Sequence, residues 1–426
     1  YIKLNLYYII EENYLEHSAM VFFMGKSSDV LCVICKGSRR LCGAKVCPIL
    51  MKKILKREVQ SLSKRRLGGY SEWFLVGEFG YPKVSLGPIS AINSIPWEPE
   101  KWAEEKLDFS QILDLRIRSL YPFQQRIVKR PPSIEEPLGE TIISLNPVEV
   151  EIILKKEPKI QLRLDFDIPP FGGSAPLERL ELATDSRIPR KVESIITDRV
   201  SASYAVSYLR ERGISVYYLQ KIFSAGFLGI AERRRLVPTR WAITAVDSII
   251  GNSALSQIRY SPSFSKIHLF HWEYLGNKYY IFIIPNDYWA MEMFEIWLPS
   301  SIWLKGIGRP VTFHIYESYD GKPTQMDGGY YAIRTSVLEW LKKQNRIAAV
   351  LAIRIITPQY IAPVGNWQIR ESIRLALDSG PLFLGDLSVC VDFVVSREPI
   401  LTEINIKGKS WLLKQLNTPS LKKWLS

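Results

Sequence analysis

The chain has 426 residues, of which 47% are hydrophobic and 12% aromatic, and its formal net charge at pH 7 is +13. The apolar fraction is sufficient for a sizeable buried core and excludes a globally disordered chain. No uninterrupted apolar stretch reaches the about 18 residues that a membrane-spanning helix requires, so we expect no membrane partner. The excess of positive charge indicates a polyanionic partner.

Residues 1–30 form an N-terminal arm for which two interpretations stay open. Glu11 and Glu12 interrupt its apolar stretch, so the arm does not fit a secretory signal. Either the arm is a native structured segment, or its first residues precede a natural start at Met20 or Met24.

Four of the five cysteines are close together, in the pattern Cys32-x2-Cys35-x6-Cys42-x4-Cys47. In a reducing compartment such a density is typical of metal binding rather than of disulfides. Zn²⁺ prefers four thiolates in a tetrahedron, and two cysteines separated by two residues supply two of them from one turn. We therefore predict one structural Zn²⁺ per chain, held in a knuckle within residues 31–66, whose binding free energy contributes to the folding of that segment.

The excess positive charge is concentrated directly after these cysteines. Between Lys36 and Arg66 there are eleven basic residues and one acidic residue, Glu58. Neutralising phosphates with such a segment releases counterions, which gives binding that depends on salt and ignores base sequence. The alternative is a solvated basic helix, because apolar residues recur there at helical spacing. The predicted DNA-binding residues are Arg39, Arg40, Lys52, Lys53, Lys56, Arg57, Lys64, Arg65 and Arg66.

Residues 67–412 are predicted to form a main body of the α+β class, with room for two subdomains, because strand and helix patterns alternate irregularly. Leu-Gly-Asn at residues 275–277, between two apolar runs, predicts a hairpin. Asp165 and Asp167 are expected on one face of a strand, and Cys390 in a buried strand. Strands are further expected within residues 147–168 and 347–356, and helices over 102–120, 198–211, 216–223, 331–344 and 366–378.

Residues 413–426 are predicted to be a tail that binds another protein. In its ending, NTPSLKKWLS, one helical turn would place Leu421, Trp424 and Leu425 on the same side. This resembles the clamp-binding peptide with which proteins dock on PCNA, Gln-x-x-aliphatic-x-x-aromatic-aromatic. Thr418 stands in the glutamine position and Leu425 in that of the second aromatic residue, and both departures should weaken binding. The alternative is a tail that folds back and buries Trp424.

Several blocks of the chain resemble the archaeal NreA family of DNA-repair proteins: CVICKG, LCGAKVCPI, VGEFGYPKVSLGPI, LVPTRWAITAVD, GGYYAIRTSVLEWL and PVGNWQIRESIRLAL. The resemblance extends from about residue 30 to the C-terminus. It implies a role in DNA-damage repair and an interaction with the PCNA sliding clamp through the C-terminal motif. The expected location is cytoplasmic, in association with the nucleoid.

The same blocks contain charged and aromatic residues that indicate a ligand pocket, with a nucleotide as a further candidate ligand. The alternative is a set of buried arginine–carboxylate pairs and tight turns that fix the core. Neither a P-loop nor a dinucleotide fingerprint is present, and no catalytic residue is assigned. The candidate pocket residues are Gly80, Tyr81, Arg240, Trp241, Thr244, Asp247, Arg334 and Arg370.

Two functions are compatible with these patterns. The first is a repair factor that binds DNA and docks on PCNA. The second is an enzyme, such as a hydrolase or glycosidase, that acts on nucleotides or nucleic-acid ends. A pocket that holds both Arg240 and Asp247 would favour the enzyme, whereas a filled core with these groups paired would favour the accessory factor.

Overall fold

The computed structural model describes residues 64–92, 96–165, 167–299, 301, 303–304, 308–317 and 322–417. This part of the chain contains two six-stranded sheets and thirteen α-helices in irregular order, which confirms the α+β class. None of its helices is long and apolar enough to cross a membrane.

The first sheet closes on itself into a barrel. β1 pairs with β2 and β2 with β3, all antiparallel, and β3 then pairs in parallel with β6. The ring is completed by antiparallel pairing of β6 with β4 and of β4 with β1, and β5 pairs with β6 outside the ring. These strands are β1 (Arg66–Val76), β2 (Lys83–Ala91), β3 (Ser119–Ile127), β4 (Val148–Leu154), β5 (Lys159–Arg163) and β6 (Phe171–Leu182).

The alternation of side chains explains why these segments form barrel strands. In β4, Val148, Val150 and Ile152 are buried, whereas Glu149 and Glu151 are exposed, as the period of two in a strand requires. β4 and β5 were both predicted, around the turn at residues 155–158. The two strands pair with β6 rather than with each other.

Helices surround the barrel and connect it to the second sheet. The predicted helix over 102–120 is wrong in extent, because it is divided into two helices and its last residues begin β3. The helices are α1 (Pro99–Glu104), α2 (Phe109–Ile117), α3 (Pro137–Ile143), α4 (Arg190–Thr197), α5 (Ala202–Glu211), α6 (Val216–Ser224) and α7 (Thr239–Ile258), with a short 3₁₀ helix at Ala231–Arg233.

The second sheet is open and mixed, in the order β10-β9-β11-β8-β7-β12. All nine residues of β11 are buried, which fits its apolar sequence and its central place. The predicted hairpin is β7–β8, with a two-residue turn at Leu275–Gly276. The strands are β7 (Ile267–Tyr274), β8 (Asn277–Pro285), β9 (Ala290–Trp297), β10 (Val311–Glu317), β11 (Ala348–Ile356) and β12 (Phe383–Gly385).

Helices cover both faces of this sheet. On one face, Val350 and Ala352 share a core with α7 and with α8 (Gly328–Gln344) and α9 (Trp367–Asp378). On the other face, Leu351 and Ile353 pack against the last four helices, and burial of each such side chain contributes roughly 1.5–3 kcal/mol. These helices are α10 (Leu387–Arg397), α11 (Ile400–Glu403), α12 (Ile406–Lys409) and α13 (Trp411–Asn417).

Two predictions about the C-terminal part of the chain differ from the structure. Cys390 is buried as predicted, but it lies in α10 rather than in a strand. The body also extends past residue 412, because α13 continues to Asn417 and buries Leu413 in the core.

Candidate functional site

The first residues of α7 are fixed against the end of β1. Thr239 accepts a hydrogen bond at its Oγ1 from the buried backbone N–H of Val76, at 2.8 Å. The same oxygen lies 3.1 Å from the hydroxyl of Ser224, which itself donates to the carbonyl of Val237. Arg240, the next residue of α7, is thereby placed beside the β1–β2 loop (residues 77–82) at one end of the barrel.

Arg240 is the centre of a charged cluster that contains three carboxylates, which we call the Arg240 cluster. Its Nη1 lies 3.0 Å from Glu78, its Nη2 2.5 Å from Asp165 and its Nε 3.0 Å from Asp167. Burial alone would lower the pKa of Arg240, but the three carboxylates outweigh it and raise that pKa above its usual value. The cluster joins the β1–β2 loop to the β4–β6 segment (residues 155–170, which includes β5).

The two aspartates of this cluster lie in a turn after β5, so the prediction that they share a strand face is wrong. Asp165 accepts from the backbone N–H of Asp167 at 2.9 Å, which closes the turn. Asp167 also accepts from the side-chain amide of Asn366 at 2.9 Å. Because Asn366 immediately precedes α9, the cluster connects the barrel to the helices of the second sheet.

Three aromatic side chains lie beside this cluster, and we call them the aromatic group. Tyr81 and Trp241 are in contact, with ring centroids 5.9 Å apart. Phe79 is 80% exposed and Tyr81 46% exposed, so the group presents apolar surface to solvent. Gly80, with φ of +85°, allows the tight loop, and a Cβ there would lie 2.7 Å from the carbonyl of Lys83.

The remaining pocket candidates do not join these residues. Asp247 and Arg370 form an ion pair that is fully buried, and Arg334 pairs with Glu317 at 2.8 Å, also buried. Thr244 lies half-buried on α7. The predicted pocket is therefore divided: Gly80, Tyr81, Arg240 and Trp241 come together, whereas Asp247, Arg334 and Arg370 are core pairs.

The buried charges behind α7 form a chain across four helices. Burial raises the pKa of Asp247, against the opposing effect of Arg370. Further along, Glu371 pairs with Arg374, and Glu339 pairs with Arg374 and Arg210. Burial would raise the pKa of Glu339, but the two arginines outweigh it and the pKa is lowered. Removing either Asp247 or Arg370 would leave the other charge buried and unpaired, so such a substitution should destabilise the fold.

Comparisons with known proteins place this architecture in a family. The family model described as "Archaeal Nre, N-terminal" matches residues 41–304, and "Archaeal Nre, C-terminal" matches residues 316–424. The chain belongs to the archaeal Nre family. DNA repair protein NreA of Archaeoglobus fulgidus is 37% identical over 364 residues, which cover 83% of this chain and 90% of that protein.

Two further curated relatives agree with this assignment. DNA repair protein NreB of Archaeoglobus fulgidus is 32% identical, over 80% of this chain and 87% of that protein. DNA repair protein NreA of Haloferax volcanii is 33% identical, over 73% of this chain and 78% of that protein. No solved structure matches the chain.

Several predicted sites of this Nre chain lie outside the described residues. They are the zinc ligands Cys32, Cys35, Cys42 and Cys47, the tail residues Thr418, Leu421, Trp424 and Leu425, and the basic residues from Arg39 to Arg57. Among the described residues, no group of three or more histidines, cysteines or carboxylates has the arrangement of a metal site.

Sequence reasoning missed Glu78 and Phe79 in this Nre chain. Both stand between Gly77 and Gly80 in the block VGEFGYP. A phenylalanine at the tip of a glycine-rich turn is a signal in itself, because an apolar ring there has little protein to pack against. Glu78 gives no comparable signal, since its partner Arg240 is distant in the chain.

Proposed function

We propose that this Nre chain is a DNA-repair factor that binds DNA and is recruited to the PCNA sliding clamp by its C-terminal tail. The observation that supports the proposal is that the side chains of Arg240 and Asp247 do not share a pocket. Arg240 and its three carboxylates are half-buried at one end of the barrel, whereas Asp247 is paired with Arg370 inside the core. This arrangement favours an accessory factor over an enzyme, and the curated relatives carry the name DNA repair protein.

The basic segment supports DNA contact because it leads directly into the barrel. Lys64 and Arg66 are exposed where β1 begins. Arg65 is tied to the barrel by a hydrogen bond of 3.0 Å to the carbonyl of Leu154 and by an exposed ion pair with Glu178. A polyanion held by the segment would therefore lie next to the barrel, and binding of this type should not depend on base sequence.

The zinc knuckle and the tail are the two further parts of the proposal. Four thiolates at Cys32, Cys35, Cys42 and Cys47 are suited to one structural Zn²⁺. The tail motif begins at Thr418, one residue after α13, and α13 is packed into the core through Leu413.

The proposal is tested by titrating the full chain and two variants with labelled DNA and with the host's PCNA. Truncation after Thr418 should abolish clamp binding and leave DNA affinity unchanged. Replacing Lys52, Lys53, Lys56 and Arg57 by glutamine should lower DNA affinity and flatten its dependence on salt between about 50 and 200 mM, because fewer counterions are released.

Unchanged clamp affinity after truncation would refute the assignment of the tail. An unaltered salt slope in the glutamine variant would place the DNA surface elsewhere on the molecule. A full chain that binds neither DNA nor clamp would overturn the proposed function as a whole.

A further inference from the structure

The order in which the barrel strands pair indicates which class of ligand the barrel binds. A β1–β2–β3 meander is closed by a parallel pairing of β3 with β6, while β4 lies between β6 and β1, and α3 connects β3 to β4. This is the Greek-key order of the OB-fold, with β6 as its fifth ring strand. OB barrels bind oligonucleotides or oligosaccharides on the face of strands 2 and 3, between the loop that joins strands 1 and 2 and the loop that joins strands 4 and 5.

The two loops that correspond to these positions meet at the Arg240 cluster. The β1–β2 loop supplies Glu78, and the β4–β6 segment supplies Asp165 and Asp167. Arg240 fixes the two loops relative to each other. The exposed rings of Phe79 and Tyr81 therefore lie at the edge of the barrel where this fold binds its ligands.

Three basic side chains flank the aromatic group, and none of them forms an ion pair with another described residue. Lys83 follows the loop and donates its backbone N–H to Gly80 at 2.8 Å. Lys129 and Arg130 follow Val128, whose N–H donates to the carbonyl of Pro82 at 2.9 Å. All three side chains are exposed, and they lie close to the loop through these backbone contacts. Their charges are free to contact phosphates.

The surface formed by β2 and β3 begins next to this loop. Lys83 pairs with Ile127 and Ser85 with Gln125 across the two strands. Gln125 is exposed and Ile127 is 45% exposed, so the face is open to a ligand and is partly apolar. A strand of nucleic acid that stacks a base on Phe79 can continue along it.

We propose that this surface binds single-stranded nucleic acid, with unpaired bases stacked on Phe79 and Tyr81 and phosphates near Lys83, Lys129 and Arg130. The proposal rests on the proposed function, since it names the form of DNA that the protein recognises. Arg240 is neutralised by its three carboxylates, so it positions the loops rather than binding phosphate. Paired bases in a duplex keep their faces stacked and cannot use the aromatic group, whereas unpaired bases can.

The test is a fluorescence anisotropy titration of the full chain with an oligothymidylate of about 12 nucleotides and with a blunt duplex of the same length. Phe79→Ala should weaken binding to the single strand about fivefold or more, with duplex binding unchanged. Because Phe79 is so exposed, this change should not alter folding, which a thermal melt checks. Tyr260→Ala is the matched control, since Tyr260 is 94% exposed beyond the opposite end of α7, and it should have no effect.

Lys83→Gln supplies a second, independent readout. It should reduce the slope of log affinity against log salt for the single strand by about 0.7, the value for one phosphate contact. Equal affinity of wild type and Phe79→Ala for the single strand would overturn this inference, as would equal losses for single strand and duplex. Displacement of the oligonucleotide by a neutral oligosaccharide would also overturn it. In all three cases clamp binding and binding through the basic segment would be unaffected, so the proposed function would stand.

Discussion

Lys221 shows at the scale of a single residue how burial sets a protonation state. Its ammonium group is buried between α6 and the end of α3, where it donates to the carbonyl of Ser144 at 2.9 Å. Burial lowers the pKa of Lys221 to about 7, because one carbonyl replaces only part of the lost hydration. The folded protein therefore releases this proton near pH 7, whereas the unfolded chain keeps it until about pH 10.5.

The lowered pKa of Lys221 makes the free energy of unfolding depend on pH. Between pH 7 and pH 10 the unfolded state binds more protons than the folded state, so the free energy of unfolding rises with pH. Lys221→Met should remove this contribution. The difference between wild type and variant should change by about 2 kcal/mol between pH 7 and pH 9, in favour of wild type at the higher pH. Urea denaturation at each pH measures it.

Lys266→Met is the control for this prediction, because Lys266 is exposed and no comparable burial acts on it. Its effect on the free energy of unfolding should be small and independent of pH. If the difference between wild type and Lys221→Met stayed constant from pH 7 to pH 9, Lys221 would be charged in the folded protein, and the burial argument would be wrong.

At the scale of elements, the start of α9 depends on a close contact with the barrel. Gly365 has φ of +105°, and a Cβ on it would lie 3.1 Å from the backbone carbonyl of Ile168, which follows Asp167. The next residue, Asn366, holds Asp167 through its side chain. The position of one carboxylate of the Arg240 cluster therefore depends on a backbone conformation that favours glycine.

Gly365→Ala should lower the free energy of unfolding by about 1–3 kcal/mol, because it combines an unfavourable φ with a crowded contact. Gly68→Ala is the matched control, since a Cβ on Gly68 would meet nothing within 4 Å and its φ is not strained. Chemical denaturation of both variants checks the prediction. Equal stability of the two variants would show that the contact between α9 and the barrel has room for a methyl group.

At the scale of the whole molecule, the second sheet contains strands from both regions that the family models match. The matched regions are residues 41–304 and 316–424. β11 lies in the C-terminal region, yet it pairs with β8 and β9 of the N-terminal region. The apolar core on both faces of β11 is therefore built from both regions, and the boundary between them does not separate two folding units.

A fragment of residues 316–426 should consequently fail to fold by itself. It would leave both edges of β11 unpaired and its buried side chains exposed to water. Circular dichroism and urea titration should show no cooperative transition for the fragment, in contrast to the full chain. A cooperative transition in the isolated fragment would show that its helices and strands suffice for a core.

The local structure of this protein follows from short-range patterns of residues. The period of two in β4, the Leu275–Gly276 turn and the apolar run of β11 depend on neighbouring residues, so they could be predicted from the chain. The α+β class followed from the same patterns, whereas the family was indicated by the resemblance of whole sequence blocks.

Which of the candidate residues meet depends on contacts between distant parts of the folded chain. Arg240 and Asp247 are seven residues apart on one helix, but the first contacts three half-buried carboxylates and the second a fully buried arginine. Their partners are distant in the chain, so no local pattern specifies them. The closure of the barrel by β3 and β6 likewise joins distant segments. So does the ion pair of Arg240 with Glu78, which fixes the loop that carries Phe79.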